Sequence, residues 1–416
     1  AGSSGPNSTP PGSSSQGRRS RPRRDGHYGI SSVLDVLAEF PAMVNEAGCL
    51  PPATHGVQHH IVTSGRPVTA KFRRLDNVKL AAAKEEFQKL EAEGIIRRSD
   101  SCWASPLHMV QKADRSWRPC GDYRPLNLLT EPDCYPLPNM NDITSRLAGC
   151  TVFSKLDLKK GYHQIPVLPA DIPKTAIITP FGLFEYVRMP FGLKNAGMTF
   201  QRFMDQILGD LPYTIVYLDD ILVASKDLQS HKDHLREVLG RLQQQGLVLN
   251  KEKCVFNQSS VDYLGLHVTS EGTSPLKDQA AAIRSFPQPA TIKDLQGFLG
   301  MVNFYRRFIP SAAKLLLPLT NCLKGGLVGS TPLVWTAEML QAFSNVKNSL
   351  VSPPCLAYPV DGATLALDTD ASATHVGAVL HQWDARAACY HPLGFFSKKL
   401  EKAQLSYSAF DRELFG

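Results

Sequence analysis

No apolar run in this chain approaches the ~18 residues that a membrane-spanning helix needs, and no signal peptide opens it; no membrane partner is expected. No Cys-x-x-Cys pair occurs either. The nine cysteines (Cys49, Cys102, Cys120, Cys134, Cys150, Cys254, Cys322, Cys355, Cys389) stand singly, which excludes a zinc ribbon or a disulfide frame and fits reduced thiols of an intracellular protein. His231 and His234 have no neighbour that would complete a metal set, and they read as helix-surface histidines. Repeats of solenoid length are absent. Excess charge is scarce as well: the net charge is +7, of which Arg18, Arg19, Arg21, Arg23 and Arg24 against Asp25 supply +4, leaving +3 for the rest. A basic leader suits nucleic-acid contact or a solvated linker equally, so any polymer binding by the body must come from a local groove.

What remains is 416 residues of ordinary composition, enough for two or three domains. Residues 1–27 are rich in Gly, Ser, Pro and Arg and are expected to be disordered. Apolar spacing predicts a helix over Asn77 to Glu93, with Leu80, Ala83, Phe87 and Leu90 on one face and Gly94 at its end. Strands are expected near Leu107–Gln111 and Val152–Leu158, and a second helix near Asn195–Leu208. A third carries Leu235, Val238, Leu239 and Leu242 and stops at Gly246. Thr291 and Asp294 form a capping pattern for a helix to Tyr305, and a strand-rich pattern starts near Leu365 after Pro353–Pro354. The order is α/β throughout. Because the chain opens on Ala1 and stops at Gly416 inside a periodic pattern, it reads as a segment of a longer polyprotein.

The densest chemistry lies in YTIVYLDDILVA, residues 213–224. Tyr213 to Tyr217 and Ile221 to Ala224 are β-forming runs, which predicts a hairpin with Asp219 and Asp220 at its tip. The Gly, Asn or Pro of a solvated turn is missing. Two like charges held there raise each other's pKa unless a cation neutralises them, which suggests an oxygen-ligand site suited to Mg²⁺; an ordinary acidic turn is the equal alternative. Asp157 ends a strand in FSKLDLKKGYHQI (153–165), and a two-metal phosphoryl transferase needs carboxylates from separate elements. Spacing alone does not bring Asp157 to the pair.

WRPCGDYRPLN (117–127), LDLKKGYHQI (156–165), MPFGLKNAGMTFQ (189–201), YLDD (217–220) and YLG (263–265) occur in the order and spacing of reverse transcriptases. The chain resembles that family from roughly Pro51 to Gly416, most closely the gypsy class of LTR retrotransposons. The resemblance implies an RNA-directed DNA polymerase of α+β class, with right-hand palm, fingers and thumb followed by an RNase H-like domain. It implies Asp157, Asp219 and Asp220 as ligands of two Mg²⁺ ions, with Mn²⁺ as a substitute. Arg118 matches the arginine that grips the incoming triphosphate, and Lys112 resembles a second triphosphate contact. Tyr162 matches the steric gate, and a packed core tyrosine is its plain alternative. Phe191 stands where retroviral enzymes carry a glutamine beside the sugar. Lys253 matches a lysine proposed to protonate pyrophosphate, with a surface lysine as the alternative; Leu264 and Gly265 resemble the turn that supports the primer terminus. Cys102 and Gly197–Met198 depart from the proline and Pro-Ala common in relatives, and the second change is expected to loosen the helix under the nucleotide.

LALDTDASATHVGAVLHQ (365–382) and FFSKKLEKAQLSYSAFDREL (395–414) resemble the start of the family's RNase H domain, with Asp370 and Glu413 as its first two acids. Relatives carry the remaining acids beyond this point, so an incomplete RNase H domain without RNA cleavage is expected. The expected division is a basic leader and linker over 1–50, fingers and palm over 51–268, thumb and connection over 269–352, and RNase H over 353–416. Implied partners are dNTPs, an RNA or DNA template with its primer, the RNA–DNA hybrid, and a flanking protease and integrase. Reverse transcription in cytoplasmic particles is expected, with nuclear import through Arg18–Arg24 as a variant. A decayed or co-opted fragment that binds nucleic acid without polymerising is the rival expectation, and a nuclease acting through the RNase H part is another.

Overall fold

The computed structural model describes residues 36–44, 50–112, 115–139, 144–325 and 328–415; the Arg18–Arg24 leader and Cys49 lie outside them. Helix α1 (Asn77–Ala92) starts where the Asp76 carboxylate accepts the Lys79 amide at 2.8 Å, and the chain leaves it at Gly94 with φ +68°. Its buried face is Ala83, Phe87 and Leu90, with Leu80 half-buried. Next come β1 (Ile96–Arg98), β2 (Ser105–Gln111), β3 (Trp117–Gly121), α2 (Arg124–Leu129), β4 (Val152–Asp157), β5 (Ile177–Thr179) and β6 (Gly182–Tyr186). Helix α3 (Ala196–Leu208) precedes the hairpin of β7 (Thr214–Tyr217) and β8 (Asp220–Ser225). Then α4 (Leu228–Gln244), β9 (Val255–Gln258), β10 (Ser260–Tyr263), β11 (Leu266–Thr269) and β12 (Thr273–Pro275) follow. Four helices succeed them: α5 (Lys277–Ser285), α6 (Ile292–Phe304), α7 (Ala312–Asn321) and α8 (Ala337–Ser349). The last described elements are β13 (Leu365–Ala371), β14 (His375–Asp384), β15 (Cys389–Lys399) and α9 (Ala409–Phe415).

These strands form four sheets, ordered β1-β6-β5-β2-β3, β7-β8-β4-β9, β10-β11-β12 and β13-β14-β15. All pairings are antiparallel except β2 with β5. The β7-β8-β4-β9 sheet is covered on both faces, and strand parity shows how. Leu156, Ile221 and Val223 enter one core with α3 and α4, whereas Phe153, Leu222 and Ile215 enter another with Val261, Tyr263 and Val268 of the β10-β11-β12 sheet. A third core joins α5, α6, α7 and α8. The Thr291–Asp294 capping box is present, and Leu295, Phe298, Leu299 and Val302 are buried as their spacing predicts. The division expected after residue 268 falls inside β11.

His231 is a correction. Rather than lying on the surface it is fully buried, because α4 crosses β8 and β4 where Ser225 and Ser154 offer hydroxyls to its two ring nitrogens at 2.8 and 2.7 Å. His234 is half-buried and stacks on Tyr213 with centroids 3.6 Å apart. Burial pulls His231, His163 and His59 each down to about 4. Unfolded histidine titrates near 6.5, so between pH ~6.5 and ~4 the unfolded chain binds more protons than the folded one. Stability from these three is complete above that window and is lost as pH falls through it. Each histidine should contribute a slope of up to about 1.4 kcal/mol per pH unit. Thermal melts from pH 7.5 to 4.5 check this, and a flat melting temperature down to pH 5 would refute it.

Candidate active site

Asp157 closes β4 and stands directly opposite Asp220, the first residue of β8, in antiparallel register. Directly opposed residues present side chains on one face, ~5 Å apart at Cβ. Two residues earlier on the same face, Lys155 places Nζ 3.0 Å from Asp220 Oδ1. Tyr217 pairs with Asp220, leaving Leu218 and Asp219 as a two-residue turn. Leu218 takes φ +55°, a left-handed conformation that costs an ordinary side chain ~1–2 kcal/mol. The missing turn residues therefore mark a strained hairpin, with Asp219 at its tip and Asp220 at the start of the strand.

Burial raises the carboxyls of Asp157 and Asp219 above the usual range. Neighbouring acids add to this: Asp219 and Asp220 act on Asp157, and Asp220 acts on Asp219. The opposing pull on Asp157 comes from Lys253 and Lys155; on Asp219 it comes first from a hydrogen bond of its own backbone and then from the same two lysines, Lys253 being an exposed residue in the turn before β9. Among the described residues no three His, Cys, Asp or Glu side chains converge as a ready metal cage. The donor set still fits a hard divalent cation: three carboxylates, all oxygen, half-buried and mutually repelling, of which one already draws a lysine as counter-charge.

Beside the acids rises an aromatic tier. Tyr162 stacks on Phe191 with centroids 4.9 Å apart, and the Arg118 guanidinium lies 5.7 Å over the Phe191 ring. Gly161 abuts Asp219, since a Cβ placed there would come within 3.1 Å of the Asp219 Cβ. Burial, then Asp219, pushes the Tyr162 phenol up to about 12, which keeps it neutral. The structure thus gathers Asp157, Asp219, Asp220, Arg118, Tyr162 and Phe191. Lys112 is exposed at the end of β2, its amide donating to the Ser116 carbonyl at 2.8 Å, with no hydrogen bond or ion pair to this tier among the described residues. Gly197 does not prevent the helix: α3 starts at Ala196, and a Cβ placed on Gly197 would meet Leu218 and the Tyr162 hydroxyl only at ordinary contact distance. Asp370 is exposed on β13 opposite Gly377, and its neighbour Asp368 lies 3.1 Å from His381. Glu413 belongs to α9, and its side chain lies outside the described residues.

Two residues that the sequence reading passed over hold the hairpin. Gln201 of α3 is fully buried; its Oε1 accepts the Leu218 amide at 2.7 Å, and its Nε2 donates to the Val216 carbonyl at 3.2 Å and to Asp205 at 2.9 Å. Tyr263 donates its hydroxyl toward the Asp220 and Ile215 carbonyls at 3.0 and 3.2 Å. A glutamine among Ala196, Phe200, Phe203, Met204, Ile207 and Leu208, all buried, was the available signal for the first.

Solved structures share this architecture. The foamy viral protease-reverse transcriptase in complex with double-stranded DNA matches with TM-score 0.84 at 19% identity, over 92% of this chain and 67% of that one. Its complex with an RNA/DNA hybrid gives 0.82 at 19% identity, over 92% and 52%. The fold is that of a reverse transcriptase. Residues 110–268 match the family "Reverse transcriptase (RNA-dependent DNA polymerase)", and residues 335–416 match "RNase H-like domain found in reverse transcriptase". The transposon Tf2-3 and Tf2-7 polyproteins of Schizosaccharomyces pombe are each 36% identical over 91% of this chain. This chain spans 29% of their length. It belongs to the reverse transcriptase family, as a Pol region of the LTR-retrotransposon kind.

Proposed function

We propose that this chain is the RNA-directed DNA polymerase of a retroelement, transferring deoxynucleotides onto a primer 3′-hydroxyl. The observation that carries the reading is the register that sets Asp157 opposite Asp220, with Asp219 at the strained tip beside the Tyr162–Phe191–Arg118 tier. Asp157, Asp219 and Asp220 would hold two Mg²⁺ ions. When bound, such ions acidify the attacking hydroxyl and offset charge on the phosphates. Arg118, exposed over the Phe191 ring, supplies the planar donor fork that suits triphosphate oxygens. Tyr162 is held by Phe191 and Phe200, and its ring would lie under the sugar and exclude a 2′-hydroxyl. Lys253 would donate a proton to pyrophosphate, and Lys112 would meet the triphosphate from solvent. Leu264 and Gly265 support the primer terminus.

The fingers and palm are assigned to 51–268, the thumb to 269–352 and the RNase H-like part to 353–416. Template–primer hybrids would be gripped through their backbones, so binding should weaken with salt. No helix among the described residues is long and apolar enough to cross a membrane. Cytoplasmic particles, with flanking protease and integrase, are the setting this reading implies.

The test is extension of a DNA primer on an RNA template with Mg²⁺, offering dNTPs or rNTPs to wild type and Tyr162→Val. Wild type should extend with dNTPs and reject rNTPs, and Tyr162→Val should lose at least roughly tenfold of that discrimination. Hybrid binding without extension, in Mg²⁺ and in Mn²⁺, would overturn the polymerase and leave a nucleic-acid-binding fragment.

A further inference from the structure

Two buried tyrosine hydroxyls connect the thumb helices to the catalytic hairpin through one tight turn. Tyr263 ends β10 and pairs with Leu266 of β11, so Leu264 and Gly265 form a two-residue turn. Both are left-handed, at φ +46° and +81°, which fits a type I′ hairpin. A Cβ on Gly265 would lie 2.9 Å from the Phe304 ring, so a side chain there would displace that ring. Tyr305, at the end of α6, donates its hydroxyl to the Gly265 carbonyl at 2.9 Å. Tyr263 is 2% exposed and donates back toward the Asp220 and Ile215 carbonyls. A phenol has one proton, so Tyr263 shares it between one carbonyl on each strand of the hairpin. The turn also spans two cores: Tyr263 packs with Phe153, Ile215 and Leu222, whereas Tyr305 packs with Leu266, Phe298 and Phe308.

We propose that Tyr263 and Tyr305 are positioning residues that fix the height of the primer terminus against the carboxylates. Tyr305 ties the thumb to the turn, and Tyr263 ties the base of the turn to the backbone of Asp220. The inference rests on the reading that Leu264 and Gly265 support the primer. Its physical basis is that an in-line attack tolerates little misplacement, and an error of ~1 Å costs ~10²-fold. With the tether in place, a displacement of the turn carries the hairpin with it, so attacking hydroxyl and ligands stay in register.

The rival account is that the hydroxyls merely satisfy buried carbonyls. Tyr358 provides the control, because its hydroxyl donates to the Thr269 and Gly272 carbonyls at 2.8 and 3.0 Å, in the same core and away from the acids. Tyr263→Phe, Tyr305→Phe and Tyr358→Phe are compared by single-nucleotide incorporation, hybrid binding and thermal melting. Tyr263→Phe should lower kcat about tenfold with dNTP KM and hybrid Kd within about twofold of wild type. Tyr358→Phe should show a similar loss of melting temperature with wild-type kcat. Tyr305→Phe should shorten products per binding event by about fivefold. Separately, a primer ending in 4-thiothymidine is photocrosslinked and the adduct mapped. An adduct within 260–269 together with wild-type kcat for Tyr263→Phe overturns the tether alone. An adduct elsewhere overturns the primer-support reading on which the tether depends.

Discussion

Asp219→Asn should melt at a higher temperature than wild type in metal-free buffer while losing primer extension by roughly 10³-fold or more. Both effects have one cause. The Asp219 carboxyl is raised by burial and then by Asp220, so the folded chain holds that proton more tightly than the unfolded chain does. Ionising it at neutral pH therefore weakens the fold, and the penalty is relieved as pH falls through the raised folded value. Asn keeps the shape and removes the charge, so the penalty disappears together with the ligand. Adding Mg²⁺ should raise the melting temperature of wild type by neutralising the acids, and should raise that of Asp219→Asn less. A variant that melts below wild type in metal-free buffer, or gains as much from Mg²⁺, would contradict this account of the site.

Local signals carried much of the architecture. The Thr291–Asp294 cap, the Gly94 and Gly246 stops and the β-forming runs flanking Asp219–Asp220 each act within a few residues, and the structure has them where their spacing puts them. The apolar positions of α3 were likewise legible, because helical period marks the face that must leave water. Contacts made across the chain were not. His231 reads as a surface residue until Ser154, 77 positions away, is seen to cap its ring. Nothing local reveals that Tyr263 reaches Asp220 across 43 residues, or that Arg118 lies over Phe191. The aspartates were recognisable as a motif, but only the β4–β8 register shows Asp157 facing Asp220. Leu218 is the instructive intermediate: the absence of Gly or Asn is visible in the sequence, whereas its left-handed backbone follows from the two-residue turn that the β7–β8 pairing leaves.

Gln201→Leu should cost about 10²-fold in kcat with hybrid binding little changed, and about 1–3 kcal/mol in stability. The substitution preserves volume and leaves the Leu218 amide without its acceptor in the buried space beneath the turn. Leu218 is also the residue whose left-handed backbone has to be held, so loss of the 2.7 Å bond lets the tip relax and moves Asp219. Gln201→Glu keeps an acceptor for that amide but loses both donors and places a charge beside Asp205, so it should be no better. Leu218→Gly provides the decisive arm, because glycine takes positive φ without steric cost and no longer needs the clamp. In the double variant Gln201→Leu/Leu218→Gly, part of the lost kcat should return, and the double-mutant cycle should show coupling of at least about 0.5 kcal/mol. Strict additivity would mean that Gln201 supports α3 alone. Recovery of kcat would show that its task is to hold one strained residue, and through it the carboxylate at the tip.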